Sequence, residues 1–130
     1  MFRLVKMLAL LATSTAATTT NVLITGATGR LGELLYAQAL SDPAIGSVKA
    51  FVTNVAKAKQ YLNCTKCDAS EGIFVGNVTD RASLDAAMAG VDAVLVAVGA
   101  SPGDSADQQK AVEFAGVENT VAALYAAPGP

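Results

Sequence analysis

The chain has 130 residues, a length that fits one domain or part of a larger one. Hydrophobic residues make up 52% and charged residues 15%, which is typical of a buried core and argues against a disordered chain. The net charge of −2 does not suggest a nucleic acid partner or an anionic membrane, and the absence of histidine removes the commonest general base and metal ligand.

The first twenty residues differ from the rest of the chain. Two basic residues precede a short apolar run at residues 7–12, and residues 13–20 contain only Ser, Thr and Ala. The apolar run is far too short to span a membrane. The pattern predicts a cleavable targeting leader over residues 1–20, with small residues such as Ala16 near the cleavage point. Its destination is an organelle (plastid or mitochondrion) or the secretory pathway, and a disordered or helical extension is the alternative.

Hydrophobic periodicity in the remaining chain predicts strands that alternate with helices. The predicted strands cover residues 21–25, 48–53, 73–75 and 91–98. The predicted helices cover residues 30–40, 55–62, 81–89 and 106–127, the third of them capped by Thr79 and Asp80 and ended by Gly90. This alternation predicts an α/β fold in which helices flank a parallel sheet with right-handed crossovers.

A glycine-rich turn joins the first predicted strand to the first predicted helix. Its pattern is G-x-x-G-x-x-G, with glycines at positions 26, 29 and 32. We expect Gly26 to permit a tight turn, Gly29 to leave room for a pyrophosphate, and Gly32 to let the helix pack closely on the sheet. The partial positive charge of the helix N-terminus would then face the pyrophosphate. A strand before this turn and a helix after it favour a dinucleotide site, and a glycine turn without a ligand is the alternative.

The stretch NVLITGATGRLG at residues 21–32 resembles the opening of extended and atypical short-chain dehydrogenase/reductases, particularly the NmrA-like group. The similarity continues through GNVTD at 76–80, GVDAV at 90–94 and VEF at 112–114. The resemblance implies a Rossmann-type NAD(P)-binding domain over residues 21–130, with NADP or NAD as cofactor and the strand order 3-2-1-4. It also implies a truncated domain, to be completed by a C-terminal half or by a second copy of the chain.

Ligands of such sheets bind at the carboxyl ends of the strands, near the point where the strand order reverses. The resemblance therefore implies three groups of cofactor contacts. The expected contacts are Gly26, Thr28, Gly29, Arg30, Leu31 and Gly32 at the diphosphate, Thr53, Asn54, Asn77 and Val78 at the adenosine, and Ala97 and Gly99 on the ribose and nicotinamide side. For Arg30, a solvent-exposed position in the first helical turn is an equal alternative to a phosphate contact.

Three departures from the family pattern bear on function. Asn77 stands where the family usually has Asp, and an amide can still hydrogen-bond an adenine edge. Thr53 and Asn54 stand at the end of the second strand, where an acid favours NAD and an arginine favours NADP. The catalytic Tyr-x-x-x-Lys pair is absent, because Leu40, Thr65 and Gly129 stand four residues after the three tyrosines. We therefore assign no catalytic residue.

These observations predict the cofactor-binding half of a short-chain dehydrogenase/reductase-like oxidoreductase. Enzymatic activity would require a C-terminal half that supplies the missing pair. The alternatives are a non-catalytic NAD(P) sensor of the NmrA-like type and a degenerate product without a stable function. The lack of an acid at Thr53, together with the nearby Lys57, favours NADP over NAD.

Cys64 and Cys67 form a C-x-x-C motif in the predicted polar loop at residues 63–72. A zinc site would need two more sulfur or nitrogen ligands, and the chain has no other cysteine and no histidine. The motif does not lie at a helix start, which would lower a thiol pKa. We therefore expect a plain surface loop, with a disulfide and a catalytic redox pair as alternatives.

Overall fold

Strands and helices alternate along residues 18–129, the part of the chain that the computed structural model describes. The strands are β1 (Thr20–Thr25), β2 (Ile45–Val52), β3 (Ile73–Val75) and β4 (Ala93–Val96). The helices are α1 (Arg30–Ser41), α2 (Val55–Tyr61), α3 (Arg81–Met88), α4 (Ala106–Lys110) and α5 (Gly116–Ala126). Within residues 18–129, no helix is both long enough and apolar enough to cross a bilayer.

The four strands form one parallel sheet in the order β3-β2-β1-β4. The central strand, β1, pairs with both neighbours, so that Ile24 lies opposite Ala50 on one side and Leu95 on the other. Both Leu23 and Ile24 are completely buried. A short, uncharged and β-branched run is the composition expected of a strand covered on both faces. The predicted α/β Rossmann-type sheet with order 3-2-1-4 is therefore confirmed.

The sheet separates two apolar cores, because successive side chains of a strand point to opposite faces. On one face, Val22 and Ile24 pack with buried residues of α1 and α2, among them Tyr36 and Ala58. On the other face, Leu23 packs with buried residues of α3 and α5. Helices α1 and α2 therefore cover one face of the sheet, and α3 and α5 cover the other, each through a small set of apolar residues.

The fourth strand is shorter than predicted. Residues 91–98 were expected to be extended, whereas β4 comprises Ala93–Val96. Its pairing begins where the Asp92 N–H donates to the Asn21 carbonyl, and it ends where the Ala97 N–H donates to the Thr25 carbonyl. Because the chain of β1 turns away after Thr25, the residues beyond Ala97 have no partner strand on that side.

The predicted single helix over residues 106–127 is divided by a π-helical segment, Ala111–Ala115. There the Gly116 N–H donates to the Ala111 carbonyl five residues back. The chain also passes close to Val78, since a Cβ atom on Gly116 would lie 2.6 Å from Cγ2 of that valine. The wider helical turn thus ends at Gly116, where the chain lies against Val78.

The first strand begins one residue earlier than predicted. Thr20 was assigned to the leader, but it is the first residue of β1, and its N–H donates to the Ala44 carbonyl at 3.0 Å. Residues 1–17, which contain most of the predicted leader, lie outside the described residues.

The expectation of a plain surface loop at the C-x-x-C motif is wrong, because Cys64 and Cys67 are joined by a disulfide. Their Cα atoms lie 5.1 Å apart. Asn63 and Cys67 both have a left-handed backbone, which turns the chain so that the two side chains converge. Cys67 is only 2% exposed and packs in the same core as Tyr36, as small apolar cysteine side chains commonly do.

Candidate functional site

A cleft of about 270 Å³ opens at the carboxyl ends of β1, β2 and β4. In a parallel α/β sheet this edge is where ligands bind, because the loops that leave the strands diverge there. Eight of the expected cofactor contacts line the cleft, namely Gly26, Thr28, Gly29, Thr53, Asn77, Val78, Ala97 and Gly99. The fold therefore brings together segments that are far apart in sequence.

The glycine turn forms the floor of the cleft. Gly26 has φ of +69°, and a Cβ atom there would lie 2.5 Å from the Ala97 carbonyl oxygen. Only glycine fits this position, since the turn lies directly against the end of β4. At Gly29 a Cβ atom would meet a single neighbour, the Gly26 carbonyl oxygen at 3.3 Å, so its outer side is open. The backbone around Gly29 is consequently accessible from the cleft.

The N-terminus of α1 lies at this turn without a side-chain cap. Its N-cap residue is Gly29, which makes no side-chain capping hydrogen bond. The first N–H groups of a helix have no intrahelical acceptor, and they carry the positive end of the helix dipole. Gly32 is buried, and a Cβ atom on it would overlap the Gly26 carbonyl, so α1 packs directly on the turn. The arrangement suits an anionic group such as a diphosphate.

The other expected contacts do not line the cleft. Arg30 and Leu31 are exposed on the first turn of α1, and Gly32 lies in the contact between the helix and the turn. Asn54 is the N-cap of α2, and its side-chain oxygen accepts a hydrogen bond from the Lys57 N–H at 3.1 Å. In this structure, the Asn54 oxygen therefore serves to start a helix.

Asn77, which follows β3, has half of its side-chain amide engaged in a local turn. Its Oδ1 accepts hydrogen bonds from the N–H and the hydroxyl of Thr79, at 3.0 and 2.8 Å. The Nδ2 group is thereby left as the donor that can face a ligand.

The predicted capping of α3 is correct in position only, because Asp80 is the N-cap but makes no side-chain capping bond. Instead, the Ser83 hydroxyl donates to the Asp80 carbonyl at 2.8 Å.

Several residues that line the cleft were not among the expected contacts. They are Phe51, Val52, Lys57, Val98, Ser101, Asp104 and Val112. The Asp104 carboxylate accepts a hydrogen bond from the Ser101 N–H at 2.6 Å, which closes the loop after β4 on itself. Lys57 could be found from sequence by its position in the first turn after β2, whereas no local signal identifies Asp104 or Val112.

The last helical stretch holds the walls of the cleft in place. The Asn119 side chain donates from Nδ2 to the Val78 carbonyl at 2.9 Å. Glu113, in the π-helical segment, accepts a hydrogen bond from the Ala100 N–H at 3.2 Å. The same segment places Val112 in the cleft lining, and π-helical turns occur frequently at functional sites. Among the described residues, no group of three or more Cys, Asp or Glu could hold a metal ion.

Comparisons with known proteins agree with this geometry. A family model described as NAD(P)H-binding matches residues 26–127. Over 91 residues the chain is 32% identical to an uncharacterized chloroplastic protein of Arabidopsis thaliana. The matched stretch covers 68% of this chain and 26% of that protein. The chain thus spans about a quarter of the length of this relative.

Solved structures show the same fold. A mutant of uronate dehydrogenase from Agrobacterium tumefaciens, in complex with NAD, superposes with a TM-score of 0.63 at 20% identity, over 85% of this chain and 38% of the enzyme. NADPH-dependent quinone oxidoreductase from Escherichia coli, in complex with NADPH, does so with a TM-score of 0.51 at 29% identity, over 78% of this chain and 31% of the enzyme. Because the family match covers most of the chain, this protein belongs to the NAD(P)H-binding family of Rossmann-fold domains, with structural neighbours among short-chain dehydrogenase/reductase and NmrA-like proteins.

Proposed function

We propose that the chain binds a nicotinamide dinucleotide in the cleft and forms the cofactor-binding part of an oxidoreductase. The observation that carries this proposal is the open backbone at Gly29, where an uncapped helix N-terminus meets a cleft. Such a cofactor supplies hydride transfer when it is bound, and the protein's part is to bind and orient it. The chain's family and its solved neighbours support this assignment.

The twelve residues expected from the sequence remain the proposed contacts, in three groups. Backbone groups from Gly26 to Gly32 would hold the diphosphate, with Arg30 adding positive charge. The adenosine would lie beside Thr53, Asn54, Asn77 and Val78, and the ribose and nicotinamide side beside Ala97 and Gly99. To these we add Lys57, which lines the same cleft.

Isothermal titration of the chain with NADPH and NADH tests the proposal. Replacement of Gly29 by Val fills the open side of the turn, and we expect affinity to fall at least roughly tenfold, or about 1.4 kcal/mol. Gly129→Val is the matched control, since a Cβ atom at Gly129 has no neighbour within 4 Å. No binding by the wild type, or equal binding by Gly29→Val, would show that the site is wrongly assigned.

We further propose a preference for NADP(H) over NAD(H). A carboxylate at the end of β2 would accept hydrogen bonds from the ribose hydroxyls and repel a 2′-phosphate. Thr53 is uncharged and lines the cleft, and Lys57 lines it as well. Charges closer to one another than the Debye length, about 8 Å at physiological salt, are only partly screened. The Lys57 ammonium would therefore attract a 2′-phosphate bound in the same cleft, and the Thr53 hydroxyl can donate a hydrogen bond to a phosphate oxygen.

A non-catalytic NAD(P) sensor is the second candidate, and it is favoured by the placement of the tyrosines. Tyr36 is buried in α1, Tyr61 ends α2, and Tyr125 is 86% exposed on α5. None of the three lines the cleft or is followed by lysine at the fourth position. Dinucleotide binding without turnover of any carbonyl substrate by the full-length protein would support this candidate, whereas reductase activity would exclude it.

We propose that a targeting leader lies within residues 1–20, with a plastid as one destination to test because the Arabidopsis relative is described as chloroplastic. Since Thr20 pairs in β1, cleavage should leave this residue in place. Mass spectrometry of the protein from its native source should show a first residue between about Ala12 and Thr20. An intact Met1 on the mature protein would argue against a cleaved leader.

A further inference from the structure

The backbone of the loop between α2 and β3 is held by a disulfide and contains two residues in the left-handed conformation. Within five residues it contains the Cys64–Cys67 disulfide and two non-glycine residues, Asn63 and Cys67, with φ of 55°. Residues other than glycine rarely adopt this left-handed backbone conformation, because their Cβ atom lies too close to the neighbouring carbonyl oxygen. The loop therefore keeps its shape through contacts that can be identified individually.

Glu71 supplies the second constraint on this loop. Its carboxylate accepts hydrogen bonds from three consecutive backbone N–H groups, those of Thr65 at 2.9 Å, Lys66, and Cys67 at 3.3 Å. All three N–H groups lie in the short segment that the disulfide closes. The disulfide and the carboxylate thus hold the same short segment from two sides.

The loop is connected to the cleft through α2. Cys67, Ala58 and Leu62 are buried in one core, and the Leu62 N–H closes the end of α2 by donating to the Ala58 carbonyl at 2.8 Å. Asn63, the first left-handed residue, follows at once. At its other end the same short helix places Lys57 in the cleft lining. A change in the loop can therefore alter how firmly α2 holds Lys57.

We propose that the Cys64–Cys67 disulfide is a redox-operated clasp, which holds α2 and Lys57 in place when oxidised and releases them when an external dithiol reduces it. The effect on Lys57 rests on the function proposed above. The clasp is part of no catalytic step. It would adjust the affinity of the cleft for a 2′-phosphate according to the thiol redox state of the surroundings.

Reduction proceeds by two successive thiol–disulfide exchanges. A thiolate of the dithiol attacks Sγ of Cys64, which is the less buried of the two cysteines, and the Cys64–Cys67 bond breaks. Cys67 leaves as a thiolate and takes up a proton. The second thiol of the reagent, as thiolate, then attacks the mixed disulfide and displaces Cys64, which is protonated in turn. The protein gains two electrons and two protons, and the dithiol becomes a disulfide.

The test compares the oxidised chain with the chain reduced by dithiothreitol, using hydrogen exchange and dinucleotide titration. On reduction, exchange of the Thr65, Lys66 and Cys67 amides should accelerate at least roughly tenfold, because the segment is no longer held against their common acceptor, the Glu71 carboxylate. The dissociation constant for NADPH should rise several-fold while that for NADH changes less, since Lys57 is directed at the phosphate. The Cys64→Ser/Cys67→Ser double variant should resemble the reduced chain and should not respond to dithiothreitol.

The outcomes separate the clasp from the proposed function. Unchanged protection of the three amides on reduction would overturn the clasp. Faster exchange with an unchanged ratio of NADPH to NADH affinity would overturn its link to Lys57. If the oxidised chain binds neither dinucleotide, the proposed function is wrong and the link fails with it, while the exchange measurement still decides whether the clasp opens.

Discussion

Single side chains at the end of β2 determine the charge of one wall of the cleft. Thr53 is exposed, lines the cleft and carries no charge. Lys57 lines the same wall, its position fixed because the Asn54 side chain caps the helix on which it stands. One substitution at Thr53 can therefore change the charge of this wall of the cleft.

Replacement of Thr53 by Asp should reverse the proposed preference for NADPH over NADH. The new carboxylate would repel a 2′-phosphate and accept hydrogen bonds from the hydroxyls of NADH. An exposed charge is worth about 1 kcal/mol, which is a several-fold change in relative affinity. Titration of both dinucleotides in low-salt buffer measures the ratio, and Thr53→Asn serves as the uncharged control. Tighter binding of NADH by the wild type, or an unchanged ratio in Thr53→Asp, would contradict this description of the pocket.

At the scale of elements, the loop from α2 to β3 depends on one ionised carboxylate. Hydrogen bonds from the Thr65 and Lys66 amides lower the pKa of Glu71 below its ordinary value of 4.5, although partial burial and the neighbouring Asp68 act in the opposite direction. Burial raises the pKa of Tyr36, and the negative charge of Glu71 adds to that rise. The loop therefore joins a charged surface group to the α1–α2 core.

Acid should open this loop. Because the pKa of Glu71 is lower in the folded state, its contribution to stability is present in full above the ordinary value of 4.5 and is lost as the pH falls through the lowered pKa. We expect faster exchange of the Thr65, Lys66 and Cys67 amides over that range, measured against amides of β1. Glu71→Gln should remove most of the pH dependence, and Glu118→Gln, on the exposed side of α5, should not. Identical pH profiles for the wild type and Glu71→Gln would refute this role.

At the scale of the whole molecule, β4 is an edge strand of the described sheet, since it pairs with β1 alone. Its residues are apolar and only partly buried, and Val96 is 42% exposed. On α1, Leu31 and Leu34 are also exposed, at 58% and 62%. Uncharged and apolar strand edges favour association, and natural proteins usually protect them.

We expect the isolated chain to associate through this edge, which sedimentation velocity over a range of concentrations would detect. Val96→Lys places a charge on the exposed edge and should restore a monomer. Val121→Lys, at a similarly exposed valine on α5, is the matched control and should leave association unchanged. A clean monomer for the wild type would show that the edge is protected, and loss of association in Val121→Lys alone would place the contact on α5.

The sheet and the floor of the cleft follow from local features of the sequence. The β-branched run before Gly26, the helical spacing after Gly32 and the alternation that follows are local signals, because burial on both faces of a parallel strand requires an uncharged run. The close packing at Gly26 and Gly32 also follows from their positions in the turn, where a Cβ atom has no space. These features depend on short stretches of chain and could be predicted from them.

The remaining residues of the cleft walls and the disulfide between the two cysteines depend on how the chain folds in three dimensions. Asp104 lines the cleft in the loop after β4, which its carboxylate closes by accepting a hydrogen bond from the Ser101 N–H. Val112 lines it because it lies in the π-helical turn. Neither the loop nor the turn has a strong local sequence pattern. The C-x-x-C disulfide likewise depends on two left-handed residues and on burial of Cys67 against Tyr36 and its neighbours. Cys67 packs with residues of β1 and α1, and the π-helical turn packs on Val78, so these features also depend on segments distant in sequence, which a pattern along the chain does not reveal.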